Sequence, residues 1–307
     1  MALRRQTETH QQVRRRRCCG SARPNYGDTA LSIASDLIQI MNEIGARIAI
    51  PPIRRVFVAP TPERPACEEF GLLVLEDGST GLFYLLLGDT WERMQAQLRL
   101  KSMFRRHPLE LIGDLESSDE LARTLAMAAV NAVSQHLFQR SGYPLESAAD
   151  SLGAFNFGSY DHVGMVGYFP SLVTRLREQG TRLTVVELKS ELVETADSFQ
   201  VTLDPAALSA CNKVLCTAAT LLNSSLESVL GHCRNDAEVA VIGPTAGCLP
   251  DPLFCRGVDR VGAAAVVNPD ILLARVAASE PWGNAVCKYM IENQGYPGYA
   301  ALLDDCS

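Results

Sequence analysis

The stretch from His162 to Leu188, HVGMVGYFPSLVTRLREQGTRLTVVEL, constrains the fold more than any other part of the chain. It reads as strand, glycine-containing turn, helix, strand. The apolar run Val163–Val166 supplies the first strand, with Gly164 and Gly167 at and just before the bend. Pro170 falls where a first helical turn tolerates a missing N–H. Gly180 suits the left-handed position that ends a helix, and Arg182–Leu188 makes the second strand with Glu187 near its end. This is the outline of a nucleotide-type crossover unit. In such a unit a helix N-terminus receives an anion, and an acidic side chain about twenty residues past the glycines receives ribose hydroxyls. The fingerprint is incomplete, because Tyr168-Phe169-Pro170 replaces the third glycine of G-x-G-x-x-G.

Strand and helix signals go on alternating downstream. Asp204-Pro205 opens a short helix over Ala206–Ala210, and Val214–Thr217 is a third strand. Ser224 with Glu227 makes a capping box for a helix over Leu226–Cys233. Glu238–Ile242 is a fourth strand running into GPTAG, and Asp251-Pro252 starts a helix that ends near Gly257. Arg260–Val267 is a fifth strand, and Asn268-Pro269 opens a helix over Asp270–Ala278. Strands separated by helices predict a parallel sheet covered on both faces.

The first half reads differently. Asp28–Gly45 has the apolar spacing of an amphipathic helix, and Ile53–Ala59 is a strand followed by a Pro-rich connection through Pro65. Glu68–Leu87 is a hairpin with Asp77-Gly78 at its turn, and Trp91–Met103 is a short helix. A long helix runs from a cap at Ser117 or Ser118, with Glu120 as capping-box partner, to Gly142. It is apolar nearly all round from Leu125 to Val133, which predicts burial on most faces. Asn131 lies in that stretch, so its amide either satisfies neighbouring backbone or faces a polar cavity. His136 on the same helix reads as a satisfied core histidine. Ser141–Asp161 is the expected linker. The boundaries are therefore 1–25 for a disordered basic tail, 26–145 for an α+β domain and 146–307 for the sheet domain.

Charge and cysteine content narrow the function class. Residues 1–23 hold seven arginines and one glutamate, a charge of +6, so the remainder carries −13 of the net −7. The block Arg14–Arg17 could touch nucleic acid or an acidic membrane surface, but it reads first as a plain disordered tail, and an acidic body argues against nucleic acid as the main partner. No apolar run reaches the length of a membrane span, and the arginine pairs lack a following apolar core. A cytoplasmic protein without membrane partner is expected. The ten cysteines include no C-x-x-C pair and no zinc-site spacing, so most are expected reduced and buried, with no structural metal.

In a parallel sheet the ligand crevice lies outside the carboxyl ends of the strands. Those ends hold Gly167, Tyr168, Glu187, the segment Thr217 to Asn223, and Gly243 to Gly247. In GPTAG, Gly243, Pro244, Ala246 and Gly247 flank Thr245, and a turn of that composition can aim N–H groups at an anion. Glu187 is the best ionisable candidate, for binding rather than proton transfer. Glu69 and Asp89, flanking the hairpin, read as ordinary surface acids.

The segments VGMVGYFPSL, VVELKSE, CTAATLLNSSLESVL and VIGPTAGCLPDPLFCRGVD together resemble the heavy-metal chelation domain family over about residues 160–278. EFGLLVLEDGSTGLFYL and AMAAVNAVSQ resemble the domain that usually precedes it, over about 28–142. The resemblance implies an α/β fold: a smaller α+β enolase-N-terminal-like domain, then a Rossmann-like doubly wound parallel sheet reminiscent of class I methyltransferases. It also implies a composite site in the cleft between them. By that resemblance the family makes or processes metal-chelating compounds, pterin-, flavin- or siderophore-like. Carried over, the cofactor-binding positions are Gly164, Gly167, Tyr168, Pro170, Glu187, Thr217, Thr220, Asn223 and Gly243 to Gly247. Asn131 and Glu187 take the catalytic roles, Asn131 reaching a substrate carbonyl. Ala218 or Ala219 stands where the family commonly has a glycine, and Ser224 follows Asn223 in place of another. The ligand is left open between S-adenosylmethionine-like and nucleotide-like, and the partner expected is an anionic or chelating small molecule; a homo-oligomer is also left open. Transfer, condensation or hydrolysis would follow. The alternatives are a metal or metal-complex carrier using Cys211, Cys216, Cys248 and Cys255, and a nucleotide-dependent oxidoreductase.

Overall fold

A computed structural model describes residues 32–59, 69–99, 106–148, 157–158 and 160–306. The basic tail, residues 28–31 of the first expected helix, the Pro-rich connection, Met103, part of the linker, and Cys18, Cys19 and Cys67 lie outside the described residues. In chain order the first elements are α1 (Ile33–Arg47), β1 (Ile53–Phe57), β2 (Phe70–Leu75), β3 (Thr80–Tyr84), α2 (Thr90–Arg99), α3 (Pro108–Ile112) and α4 (Glu120–Ser141). β1, β2 and β3 form a three-stranded antiparallel sheet. Its tight turn follows from Asp77-Gly78: Gly78 takes φ +91°, and the Asp77 carboxylate accepts the N–H of Ser79 at 3.0 Å. That turn fixes the register, pairing Phe70 with Tyr84.

α4 lies across this sheet. Its N-cap is Asp119, not Ser117 or Ser118: the Asp119 carboxylate accepts the N–H of Leu121, while the Ser117 hydroxyl accepts that of Asp119. Gly142 closes the helix at φ +67°. Nearly every residue from Leu125 to Phe138 is buried, as the all-round apolar pattern requires. The helix and β3 meet backbone to backbone at Gly81, where a Cβ would collide with the carbonyl of Ala128.

The remainder is built on an eight-stranded, largely parallel sheet. Its elements are β4 (His162–Val166), α5 (Pro170–Glu178), β5 (Arg182–Val186), β6 (Glu194–Ala196), β7 (Phe199–Thr202), β8 (Lys213–Thr217), α6 (Ala219–Leu222), α7 (Leu226–His232), β9 (Glu238–Ile242), α8 (Asp251–Phe254), β10 (Arg260–Val266), α9 (Pro269–Ala277), β11 (Val286–Glu292) and α10 (Tyr299–Asp304). The strand order is β11-β10-β9-β8-β4-β5-β7-β6. The six strands from β10 to β7 are mutually parallel, and β11 and β6 add antiparallel edges. Five of the parallel strands are those the sequence predicts; β7 and both edges are additional. The capping box expected at Ser224 does not form. Ser225 is the N-cap of α7, and Glu227 instead accepts the N–H of Ile33 at the start of α1, at 2.7 Å. One continuous apolar core joins Leu37, Leu73, Phe83 and Val133 of the first half to Val214, Val241 and Val261 of the large sheet.

Candidate functional site

β4 is the first strand of the large sheet, and the chain goes from it to β5 on one side and to β8 on the other. The strand order thus reverses between β4 and β8, the place where an open parallel sheet leaves a crevice at its carboxyl edge. Gly167 sits at that place with φ +85°, and its N–H donates to the carbonyl of Val186 at 2.9 Å. A Cβ there would lie 3.0 Å from the Thr217 methyl group, so glycine is required both by conformation and by its neighbour across the gap. The next N–H, of Tyr168, donates to one carboxylate oxygen of Glu187 at 2.9 Å, and the N–H of Leu188 donates to the other at 2.8 Å. Glu187 is half-buried and clamped between the glycine turn and its own loop, with lone pairs left on both oxygens. Pro170 is the first residue of α5, whose N-cap Phe169 offers no side-chain cap to the helix N-terminus.

The other positions divide between the crevice and its supports. Thr217 at the end of β8 and Asn223 at the end of α6 are half-buried. The Thr217 hydroxyl accepts the N–H of Ala219 at 3.3 Å, and Asn223 Oδ1 accepts both the N–H and the hydroxyl of Ser225 at 3.1 and 2.6 Å. Thr220 is buried and donates its hydroxyl to the Thr217 carbonyl at 2.6 Å, which braces the turn and leaves that proton unavailable to a ligand. Gly164 lies inside β4, away from the bend. A Cβ there would approach Leu208 to 2.9 Å and Cys211 to 3.2 Å, so its bare backbone serves packing beneath the 3-10 turn Pro205–Ala210 and not a cofactor.

The GPTAG turn is mostly an internal joint. The Gly243 N–H donates to the Gly262 carbonyl and the Ala246 N–H to the Gly243 carbonyl, both at 2.9 Å, so these two are not aimed at an anion. Thr245 is buried; its hydroxyl accepts the N–H of Tyr84 at 3.0 Å, and its carbonyl accepts Asn131 Nδ2 at 2.8 Å. Gly247 lies against the Asn131 side chain. Gly243 and Pro244 remain half-buried at the crevice, Gly243 against the methyl group of Ala218. Asn131 itself is 1% exposed and donates from Nδ2 to the carbonyls of Leu82 and Thr245, each at 2.8 Å. Both amide protons are thereby used, and none is left for a substrate carbonyl.

The hairpin brings in Glu69, which the sequence reads as a surface acid, together with Tyr84. Glu69 and Tyr84 sit at the open end of β2 and β3, and docking of the Tyr84 N–H on Thr245 carries them to the strand ends. Burial pushes the Glu69 carboxyl above its ordinary range, against the opposing charge of Lys189. Burial pushes the Tyr84 phenol up as well, helped by the negative charges of Glu69 and Glu187. The turn signal at Asp77-Gly78 already places residues 69 and 84 side by side; what the sequence does not show is that the charge of Glu187 lies near enough to act on the Tyr84 phenol.

The histidines and cysteines stand elsewhere. His136 Nδ1 meets the Asp77 carboxylate at 2.6 Å and its Nε2 meets the Ala49 carbonyl at 3.2 Å, a satisfied core histidine. His162, at the opposite edge of the sheet, meets the Thr184 hydroxyl at 2.8 Å. Cys211, Cys216 and Cys248 are buried and Cys255 is exposed. Burial pushes the thiols of Cys211 and Cys248 up to about 11 and about 12, so both are poor sources of thiolate. Among the described residues no group of three or more His, Cys, Asp or Glu is placed to hold a metal ion, and no helix is long and apolar enough to cross a membrane.

Comparison with known proteins agrees with this architecture. The chain is 27% identical to an uncharacterised protein of Methanocaldococcus jannaschii over 190 residues, which is 60% of this chain and 71% of that one. A solved DUF364 protein of unknown function from Pyrococcus horikoshii superposes with a TM-score of 0.62 at 19% identity, covering 85% of this chain and 99% of its own. Another, from Desulfitobacterium hafniense, gives 0.61 at 19% identity over 84% and 98%. Both likenesses speak to fold alone. Residues 150–289 match the family model DUF364, described as "Putative heavy-metal chelation".

Proposed function

We propose that this chain is a small-molecule enzyme whose ligand lies between the hairpin end and the carboxyl edge of the large sheet, and that it makes or processes a metal-chelating compound. The carrying observation is the Glu187 carboxylate, fixed by the Tyr168 and Leu188 N–H groups beside the left-handed Gly167 turn. A carboxylate held so at the end of the second strand has free lone pairs for vicinal hydroxyls, as in nucleoside sites. The donor set fits an S-adenosylmethionine-like or nucleotide-like ligand at its sugar. A bound S-adenosylmethionine-like group would supply a transferable alkyl group. The chain's own part is then to hold the sugar through Glu187 and to fix the second reactant against Glu69 and Tyr84.

The two-domain reading belongs to the same proposal: a Rossmann-like sheet domain after an enolase-N-terminal-like domain, divided near residue 146. Numbered from β4, the parallel strands run 3-2-1-4-5-6, which supports the Rossmann-like part. The metal-carrier alternative has less support, since the cysteines it needs are apart and largely buried.

A thermal-shift screen with S-adenosylmethionine, nucleotides and pterins tests the reading. One class should stabilise the protein by roughly 2–3 kcal/mol at a hundredfold excess over Kd, and Glu187→Gln should remove the effect. A screen in which none of them stabilises the wild-type protein sinks the proposal.

A further inference from the structure

We infer that Glu69 and Tyr84 determine the specificity of this cleft, selecting a nucleoside-type ligand whose 5′ substituent is positively charged. The inference rests on the cleft proposed above and names what its second wall recognises.

A row of contacts along the strand ends defines the geometry. Glu187 at β5 is held by Tyr168, which follows Gly167 at β4; Gly167 abuts Thr217 at β8; Ala218 abuts Gly243 at β9. Thr245, two residues on, holds the backbone of Tyr84. Cross-strand pairing of Phe70 with Tyr84, and the 2.8 Å bond from the Leu85 N–H to the Glu69 carbonyl, fix Glu69 beside the phenol. The ring of Phe70 stands edge-on to Tyr84 at 5.6 Å and to Trp282 at 5.5 Å, which makes this wall rigid.

The two acids of the cleft are not equivalent. Glu187 is satisfied by two backbone N–H groups. The Glu69 carboxylate is half-buried, yet among the described residues it has no hydrogen-bond or ion-pair partner; the Lys189 ammonium acts on it only through space. The Tyr84 hydroxyl likewise has no partner among the described residues. A half-buried carboxylate left unpaired costs free energy that a cationic N–H donor would recover. Two carboxylates against one ammonium leave the cleft negative, so an anionic substituent at this wall is disfavoured. The Tyr84 phenol, kept protonated, offers its oxygen as an acceptor to a cationic N–H.

Calorimetric titration of the full chain with adenosine and with 5′-amino-5′-deoxyadenosine, at neutral pH, tests the assignment. The amine should bind about tenfold more tightly, the worth of one charge-assisted hydrogen bond in a partly buried site. Glu69→Gln should erase that preference. Lys189→Ala, at an exposed position, should enlarge it. Equal binding of the two probes, or a preference that survives Glu69→Gln at an unchanged melting temperature or shrinks in Lys189→Ala, overturns the role of Glu69 and leaves the cleft standing. Binding of neither probe overturns the nucleoside reading itself, and this inference with it.

Discussion

Asn131 holds together two backbone segments 49 and 114 residues distant in sequence, the carbonyls of Leu82 and Thr245. Its removal leaves both carbonyls buried and unpaired, so Asn131→Ala should cost about 2–4 kcal/mol by urea unfolding. Asn131→Asp should cost more, because it adds a buried charge where two donors stood. A variant of near wild-type stability would show that neither bond is needed. Asp251 makes the opposite case. It accepts the Tyr296 hydroxyl at 2.8 Å and the Tyr299 N–H at 2.9 Å, but burial dominates and pushes its carboxyl above the ordinary range. A raised folded pKa means that the native state favours the protonated acid. Its contribution is therefore best below the ordinary carboxylate range and is lost as pH rises through the folded pKa. Asp251→Asn keeps an acceptor for the Tyr299 N–H and offers a donor to the Tyr296 oxygen. It should raise the melting temperature at neutral pH and bring no gain at acid pH, where the wild-type group is already neutral.

Glycines at element junctions set the geometry of the cleft. Gly167→Ala would place a Cβ at a left-handed position and 3.0 Å from Thr217. The expected cost is about 1–2 kcal/mol from conformation alone, together with weakened ligand stabilisation, because the Tyr168 N–H that clamps Glu187 is the next group along. Loss of stability with ligand response intact would separate the turn from the site. Much at this scale was legible beforehand. The apolar runs gave five of the parallel strands, Asp77-Gly78 gave the hairpin, and the all-round apolar stretch gave the burial of α4. β6 and β7 escaped because both are short: Glu194–Ala196 is exposed throughout, and Phe199–Thr202 alternates over four residues only. The GPTAG turn read as an anion cradle because composition reports a bent backbone but not its partner. That partner, Tyr84, lies 161 residues away on the hairpin. Glu69 reads as a surface acid for the same reason: the charge that acts on it, Lys189, lies 120 residues further along the chain.

At the scale of the molecule, the joint between the two sheets decides how the protein unfolds. A single apolar core runs from α1, the hairpin and α4 into β8, β9 and β10. Polar links cross the same joint: Tyr84 to Thr245, Asn131 to Thr245, the Leu249 N–H to the Ser134 hydroxyl at 3.0 Å, and Arg256 to Asp36 at 2.7 Å. The family match begins at residue 150, which makes a chain started there the obvious fragment. Such a fragment would expose the faces of Val214, Val241 and Val261 that α4 and its neighbours cover, and apolar area of that kind is worth about 25 cal/mol per Å². The full chain should therefore unfold in one transition, with the fluorescence of Trp91 in α2 and Trp282 before β11 following the same denaturant curve as the far-ultraviolet circular dichroism. Residues 150–307 alone should aggregate or bind a hydrophobic dye. A soluble, cooperatively folded fragment would mean that the joint is a dockable interface and not a shared core. The cleft would then open and close as the two parts move, and ligand binding should tighten their association in proportion to its affinity for the closed form.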